Sequence, residues 1–391
     1  MKKDGTGQYA KGVDSRKGGW GDIFTAVDEP SFPHAFCKIY IDPVTGRAFT
    51  QQMDGVGSKS VQRYLHARET GDYSVCAGDA DDCFVMNAGD VAAAGLMDNW
   101  VFTDIVAINQ NYVDKEAYLT ALNQGFLRIK QLYAQHGQTF LFTGGETADL
   151  VDQTRNMIFD GTITAYADKK KVITGDEIKP GDIIIGVRSG GPCNFEKELN
   201  SGHMSNGSTG LRHMFMRYDY QERYPEIVDP EGDDYIGRFC IGDEPEGLGM
   251  EISQALMSPT RHFPIIVKKI LERYGNQIHG IVLNTGGGAT KCTRIGSGIR
   301  YVKSSMPKPD PLFLLAQEES GKEWGDMFES YNMGVGLDLM VPESIRDSVT
   351  EMVENEFGVG CQEIGVCEKS KDDKNHVVID GKYGTHEYDE E

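Results

Sequence analysis

Short glycine clusters beside strand-like segments are the feature that most limits how this chain can fold. The sequence has 47 glycines in 391 residues, about 12% of the chain against a usual level of roughly 7%. They follow no Gly-X-Y period and form no long Gly/Ser tract, which excludes collagen-like and linker structures. Glycine is needed where the backbone takes positive φ or approaches another group closely. The sequence therefore predicts tight loops at defined points of a globular fold.

Helical and strand patterns alternate along the chain, which predicts an α/β or α+β protein. An amphipathic helix is predicted from Asp114, with apolar residues at three- and four-residue steps until Gly137 ends it. The other clear patterns are strands at 139–142, 156–167 and 182–187 and helices at 60–69, 259–274 and 343–357.

The length of the chain predicts two or three domains at about 150 residues each. The stretch 168–181 is polar, with one proline and two glycines, and precedes an apolar strand pattern. We therefore predict a boundary near residue 178, with domains 1–178 and 179–391. The segment 217–247 is rich in acidic residues and is predicted to be a solvated insertion, and 386–391 a frayed acidic tail.

Charge and cysteine usage limit the location and the partners of the chain. Its 60 acidic and 39 basic residues give a net charge of −21, which argues against nucleic acids and anionic membranes as main partners. No amino-terminal signal pattern and no apolar run long enough to span a bilayer are visible, so a cytoplasmic location is predicted. The eight cysteines contain no CxxC pair, and we expect them to be reduced and mostly buried. The histidines have no zinc-site spacing.

The cluster Asp54-Gly55-Val56-Gly57-Ser58-Lys59 lies between a strand pattern and a helix pattern. A glycine loop at a helix start exposes backbone N–H groups and suits an anion. Asp54 could hold a hard cation, and Lys59 could neutralise a phosphate. The spacing is not that of a Walker A loop, and an ordinary glycine turn is an equally good interpretation of this cluster alone.

An acidic helix follows, with Asp79, Asp81, Asp82 and Asp90 among apolar residues. Asp82 and Asp90 are slightly more than two turns apart, so both can lie on one face. Two carboxylates on one face suit Mg²⁺, which is usually held by a few carboxylates together with phosphate and water oxygens. The alternative is a solvated acidic face.

A third cluster, Gly144-Gly145-Glu146, is predicted to form a turn directly after a strand, where a carboxylate suits contact with a nucleotide or a metal ion. Further clusters lie at 202–207, 258–261, 285–288 and 332–336. Each is a weak signal alone. Their joint presence with carboxylates favours phosphate chemistry that uses Mg²⁺.

The order of these motifs resembles that of the AIR synthetase family, the phosphoribosylformylglycinamidine cyclo-ligases of purine biosynthesis. The matching elements are YAKGVD at 9–14, DGVGSK, the acidic helix ending in Gly89-Asp90, GGETAD, SNG, SPTR, TGGG and YNMGVG, which together extend to about residue 341. Selenophosphate synthetases, hydrogenase maturation proteins and thiamine-phosphate kinases share the architecture but match these elements less well.

The resemblance implies two α/β domains, with the amino-terminal domains of a homodimer forming a β-barrel core. It also implies ATP and Mg²⁺ as cofactors and a small ribonucleotide as the substrate. The formyl oxygen of formylglycinamidine ribonucleotide would be phosphorylated and then displaced as the imidazole ring closes. The implied catalytic residues are Lys59 and Asp90, and the implied metal ligands are Asp54, Asp82 and Asp90. The implied ATP-binding residues are Asp54, Gly55, Gly57, Lys59, Asp82, Gly144, Gly145 and Glu146, and the implied substrate-binding residues are Ser205, Asn206, Gly207, Thr260 and Arg261.

The chain departs from the family pattern at several positions. Met204 and Leu283 stand where the family has histidines, and His203 lies one position early. Gly89 replaces an asparagine, Asp149 replaces a glutamate, and 32–39 replaces a glycine-rich loop. We therefore assign the role of catalytic base to no residue. Two alternatives remain at this stage, namely an enzyme that phosphorylates a different amide oxygen and a nucleotide-binding paralogue without catalysis.

Overall fold

The computed structural model describes residues 29–389, so the motif at 9–14 and the last two residues lie outside it. The described strands are β1 (Tyr40–Ile41), β2 (Ala48–Gly55), β3 (Asp98–Ile108), β4 (Phe140–Asp149), β5 (Met157–Ala167), β6 (Ile183–Arg188), β7 (Gly190–Gly191), β8 (Asn200–Ser201), β9 (Gly280–Leu283), β10 (Ile299–Lys303), β11 (Val335–Val341), β12 (Cys361–Lys369), β13 (His376–Gly381) and β14 (Gly384–Asp389). The described α-helices are α1 (Lys59–Thr70), α2 (Ala77–Ala93), α3 (Lys115–Gln135), α4 (Ser208–Phe215), α5 (Asp219–Arg223), α6 (Ile252–Met257), α7 (Phe263–Tyr274), α8 (Pro311–Ser320), α9 (Trp324–Ser330) and α10 (Arg346–Phe357).

The first sheet has the order β1-β2-β5-β3-β4 and is antiparallel except for the parallel pair β3–β4. Alternate residues of β5 are buried, as expected for a sheet with one covered face. Helices α2 and α3 cover that face with an aromatic core in which the rings of Phe84 and Phe140 lie 4.4 Å apart. The described part of this sheet is open, with β1 and β4 as its edges.

The second sheet has the order β14-β13-β10-β12-β6-β11-β9. Strand β11, which lies between β6 and β9, is buried along its whole length, and β6 is buried except at its last residue. This burial explains why both strands are nearly continuous apolar runs in the sequence. The prediction of a mixed helix-and-sheet protein is confirmed, with one sheet built from residues 40–167 and the other from 183–389.

Several local predictions are confirmed, and others are corrected. The carboxylate of Asp114 caps α3 by accepting a hydrogen bond from the Ala117 N–H at 3.1 Å. The predicted turn at Gly144-Gly145 is wrong, because β4 continues through it as an edge strand with a bulge opposite β3. Helix α7 begins at Phe263 rather than at 259, since the Thr260 N–H is already bonded to a side chain of α2.

The segment 217–247 is not a solvated insertion. Tyr220 and Tyr235 are 2% and 1% exposed, and the buried Glu226 accepts a hydrogen bond from the Tyr64 hydroxyl of α1 at 2.6 Å. The segment therefore packs against α1. The predicted frayed tail is also corrected for residues 386–389, which pair with β13 as part of β14.

All eight cysteines are unpaired, and only Cys240 is partly exposed, so the prediction of buried free thiols is confirmed. Within residues 29–389, no helix has both the length and the apolar character needed to cross a bilayer.

Candidate active site

The loop between β2 and α1 explains why the first cluster needs its glycines. Gly57 has a φ of +63°, a conformation that glycine adopts without strain. A Cβ atom at Gly55 would lie 1.7 Å from an oxygen of the Asp160 carboxylate. Glycine at this position thus lets Asp160 approach the backbone of the loop.

Four acidic residues from separate motifs lie in two neighbouring rows across the first sheet. The register aligns Asp54, Gly161, Asp104 and Gly145 in one row and Gly55, Asp160, Ile105 and Glu146 in the next. Each row crosses three strand gaps, or about 14 Å. The structure thus aligns the first and third clusters, and it adds Asp104 and Asp160, which sequence reasoning missed. The available signal was an acidic residue inside an otherwise apolar strand pattern.

Hydrogen bonds between α2 and β2 place Asp90 and Asp54 in the same region of the structure. The Asn87 side chain accepts from the Asp54 N–H at 3.0 Å and donates to the Asp54 carbonyl at 2.9 Å. Asp90 lies three residues further along the same helix and accepts from the Gln52 amide at 2.9 Å. Residues three apart share a helix face, so the side chains of Asp90 and Asn87 both face β2.

Burial disfavours charge on two carboxylates of the rows, those of Asp104 and Asp160. Burial raises the pKa of Asp104 to about 6. Burial and the negative charge of Asp54 raise the pKa of Asp160. Within residues 29–389, no group of three or more His, Cys, Asp or Glu side chains is arranged to hold a metal ion. Asp54 and Asp90 nevertheless fit the few-carboxylate type of Mg²⁺ site, which is completed by phosphate and water oxygens.

Lys59, for which a phosphate contact was predicted, is fully buried in this structure. Its ammonium donates to the Asp82 carboxylate at 3.0 Å, to the His203 carbonyl at 3.0 Å and to the Ser258 carbonyl at 2.5 Å. These bonds use all three donors of an ammonium group. Burial lowers the pKa of Lys59 to about 8 although Asp82 opposes the shift. Lys59 therefore joins α1 to two distant loops.

Asp82 and Thr260, predicted as ATP or metal and substrate contacts, belong to the same buried network. One oxygen of Asp82 accepts from Lys59 and from the Thr260 N–H and hydroxyl at 2.8 and 2.6 Å. The other oxygen accepts from Arg63 at 2.6 Å. Burial would raise the pKa of Asp82, but Lys59 and Arg63 together hold it below its usual value. Both oxygens of Asp82 thus accept hydrogen bonds from buried groups of the protein.

Arg261, which was predicted to contact the substrate, is also buried. Its guanidinium donates to the carbonyls of Arg188, Gly190 and Gly191 at 2.8–3.2 Å and to both oxygens of Glu196 at 3.0 and 2.9 Å. The side chain therefore fixes the backbone after β6 and has no surface open to a ligand.

The remaining predicted substrate residues lie where three glycine-rich loops meet. Gly207 begins α4 with a φ of +84°, and a Cβ atom there would lie 2.5 Å from the Tyr331 ring. Asn206 is exposed and lies beside Gly286. The structure thus brings Ser205, Asn206 and Gly207 against the 285–288 and 331–336 loops.

His203 lies one position before Met204, where the family has a histidine. Its ring is buried, and burial holds its pKa well below the usual range. The Ser208 hydroxyl donates to the Ser205 carbonyl at 2.8 Å. It must therefore accept the 2.8 Å hydrogen bond from His203 Nε2, which fixes the proton on that nitrogen.

Comparison with known proteins gives relatives along most of the chain. A phosphoribosylformylglycinamidine cyclo-ligase of Methanocaldococcus jannaschii is 27% identical over 316 residues, which cover 80% of this chain and 76% of the relative. The enzyme of the same name from Methanococcoides burtonii is 26% identical over 78% of this chain and 77% of its own. No protein-family model matches the chain.

Two solved structures share the fold at low sequence identity. AaThiL complexed with AMPPCP and TMP has a TM-score of 0.55 at 14% identity and covers 95% of this chain and 96% of its own. The hydrogenase maturation protein HypE has a TM-score of 0.54 at 14% identity with the same coverage. The shared fold and the cyclo-ligase relatives together confirm the resemblance of this chain to the AIR synthetase family, whose members are enzymes.

Proposed function

We propose that the protein catalyses the ATP-dependent cyclisation of formylglycinamidine ribonucleotide to aminoimidazole ribonucleotide in purine biosynthesis. The observation that carries this proposal is the direct attachment of the 54–59 loop to the segment that follows the SNG motif. Besides the Lys59 bonds, the Ser58 hydroxyl lies 2.5 Å from the Thr209 hydroxyl, and Arg212 donates to the Ser58 carbonyl at 2.7 Å. The proposed ATP-binding loop at 54–59 would then lie beside the proposed substrate-binding loop with the SNG motif. Transfer of a phosphoryl group between two bound molecules requires such proximity.

The reaction solves a leaving-group problem, because a formyl oxygen does not leave unaided. The formyl oxygen attacks the γ-phosphorus of ATP, ADP departs, and the formamide N–H loses its proton to give an iminophosphate. The ribosyl-bearing nitrogen of the amidine then attacks the former formyl carbon and loses a proton. The carbon–oxygen bond breaks, and phosphate leaves with that oxygen. Both reacting groups of the second step belong to one molecule, so the protein mainly has to orient them and exclude water.

ATP and Mg²⁺ are the proposed cofactors, with Asp54 and Asp90 as the metal ligands. Mg²⁺ would neutralise charge on the transferring phosphoryl group. Asp90 would be the residue on which turnover depends most. Gly55, Gly57, Gly144, Gly145 and Glu146 stay proposed ATP contacts, together with Asp104, which lies in the same row as Asp54. Ser205, Asn206 and Gly207 stay the proposed substrate contacts.

We further propose a homodimer in the cytoplasm, with the open face of the first sheet as the contact surface. Met53, Leu141, Ile158 and Ile105 share that face and are 62%, 63%, 48% and 38% exposed. Paired apolar faces of two such sheets would form the barrel expected for the family. Leu141→Glu should shift sedimentation towards monomer, whereas Val44→Glu at an exposed turn should not. A wild-type monomer would contradict the dimer.

The test of the activity is the formation of aminoimidazole ribonucleotide by the purified protein with ATP and Mg²⁺. Turnover of a different amide, with rejection of the formyl substrate, would favour another amide-oxygen phosphorylating enzyme. ATP binding without cyclisation at high enzyme concentration would favour a non-catalytic paralogue. The domain division near residue 178 stays a prediction, which separate expression of 179–391 would test.

A further inference from the structure

A small cavity lies where the SNG, TGGG and YNMGVG loops meet. Its lining includes His203, Asn206, Asn284, Gly286 and Asn332. Its free volume of about 10 Å³ is room for one water-sized group. A ligand bound over these loops could therefore place one amino, imino, hydroxyl or carbonyl group inside it.

Asn284 presents an unused hydrogen-bond acceptor at this cavity. Its amide nitrogen donates to the Val335 carbonyl and to the Asp338 carboxylate, each at 3.0 Å. Both partners are acceptors, so the amide can be oriented in only one way. The side-chain oxygen has no partner, and the residue is 1% exposed. A buried acceptor without a donor is costly, and the site therefore calls for a donor from outside the protein.

The surroundings hold this acceptor firmly in place. The ammonium of the buried Lys303 donates to Asp338 at 2.5 Å and to the Ala289 carbonyl at 2.6 Å. Asn332 is held by three hydrogen bonds, because its amide donates to the Gly202 carbonyl at 3.1 Å and its oxygen accepts from Ser189 at 3.0 Å and from the Gly334 N–H at 2.7 Å. His203 Nε2 is already used on Ser208. Lys303, Asn332 and His203 are thus held by other partners, and none of them donates to the Asn284 oxygen.

We infer that the Asn284 side-chain oxygen accepts a hydrogen bond from the imino N–H of the substrate amidine and so selects an amidine over the corresponding amide. This inference rests on the proposed function. An amide carries a carbonyl oxygen where the amidine carries nitrogen, and two acceptors facing each other in a water-sized cavity repel. A phosphate oxygen is excluded for the same reason. Asn284 is thus a specificity residue in the 284–288 loop.

The first experiment uses the wild-type protein and needs no substitution. The amide analogue, identical to formylglycinamidine ribonucleotide except for oxygen in place of the imino nitrogen, is tested as a competitive inhibitor of cyclisation. Its inhibition constant should exceed the dissociation constant of the amidine by about 30-fold or more, as expected when a buried acceptor is left unpaired. Equal binding within about 3-fold would overturn the inference and would mean that water satisfies Asn284.

The second experiment compares Asn284→Leu with Asn375→Leu. Asn375 is equally buried, but its amide donates to three backbone carbonyls and its oxygen accepts from the Ile299 N–H. Asn284→Leu should reduce the preference for the amidine to about 3-fold or less, whereas Asn375→Leu should lower stability and keep the preference. Retained preference in Asn284→Leu would overturn the inference with the proposed function intact. Absence of any cyclisation by the wild type would instead refute the proposed function and this inference together.

Discussion

Asp82→Asn separates the structural role of Asp82 from the metal-binding role predicted for it from the sequence. The substitution keeps the size of the side chain and removes its charge. Asp82 lies between Lys59 and Arg63 at 3.0 and 2.6 Å, with all three side chains at most 1% exposed. Removing one partner of a buried ion pair leaves an uncompensated charge, which costs about 3–5 kcal/mol.

The expected value is at the lower end of that range. Arg63 keeps a second carboxylate, Asp79, at 2.5 Å, and Lys59 keeps its two carbonyl acceptors. We therefore expect the free energy of unfolding to fall by about 3 kcal/mol. For a cooperative unit of 150–250 residues this corresponds to a melting temperature lower by about 6–12 °C.

Thermal unfolding followed by circular dichroism in buffer with EDTA measures this effect without any contribution from a metal ion. Asp152→Asn, at an exposed loop position, is the matched charge control and should change the melting temperature by less than about 2 °C. The double variant Lys59→Met/Asp82→Asn should lose less stability than the sum of the single variants, because the two residues are in contact.

One result would refute this reasoning. If Asp82→Asn melts within about 2 °C of the wild type and loses only its Mg²⁺-dependent activity, the buried network contributes no stability and Asp82 is a metal ligand. Lys59 would then also be available for a phosphate. The structural assignment of both residues would have to be withdrawn.

The remaining predictions concern the acidic rows and the cysteines. Asp90→Asn should lower Mg²⁺-dependent kcat at least about 100-fold while its melting temperature stays within about 2 °C of that of Asp152→Asn; unchanged turnover would remove Asp90 from the site. The raised pKa of Asp104 means that the folded state binds its proton more tightly than the unfolded state, so its contribution to stability falls as pH rises from about 4 to about 6. Asp104→Asn should then be more stable than the wild type by about 1 kcal/mol at pH 7 in EDTA, allowing for solvent screening of a partly exposed group. An equal difference in stability between variant and wild type at pH 4.5 and at pH 7 would contradict this. A thiol reagent should modify Cys240 alone in the native protein and all eight cysteines after unfolding, and modification of several thiols without unfolding would contradict their burial.

The sequence predicted best those elements whose pattern is local. Helix α3 and strand β5 each carry one complete periodicity, so a single segment determines both the element and its buried face. The prediction of a turn at Gly144-Gly145 was wrong because glycine also occurs at bulges in edge strands. Whether β4 continues through the pair depends on the register with β3, which is a contact between segments about 40 residues apart.

The site residues divide along the same line. Charged residues in the glycine loops and on the acidic helix suggested ligand contacts for Lys59, Asp82 and Arg261, but a charge in a sequence does not reveal whether the side chain is buried. Each of these residues bonds to segments more than 20 positions away. Asp104 and Asp160 were missed for the opposite reason, because only strand register aligns them with Asp54 and Glu146.

The acidic rows have a consequence for how the proposed reaction can begin. ATP is a polyanion, and the proposed site contains the carboxylates of Asp54, Asp90 and Asp104. Lys59 cannot offset that charge, because its ammonium is enclosed and fully bonded. A cation must therefore enter with the nucleotide or before it, since phosphate oxygens facing several carboxylates in a medium of low dielectric would repel strongly. On the proposed function, ATP affinity should thus depend steeply on the divalent cation, because the cation bridges two groups that otherwise exclude each other.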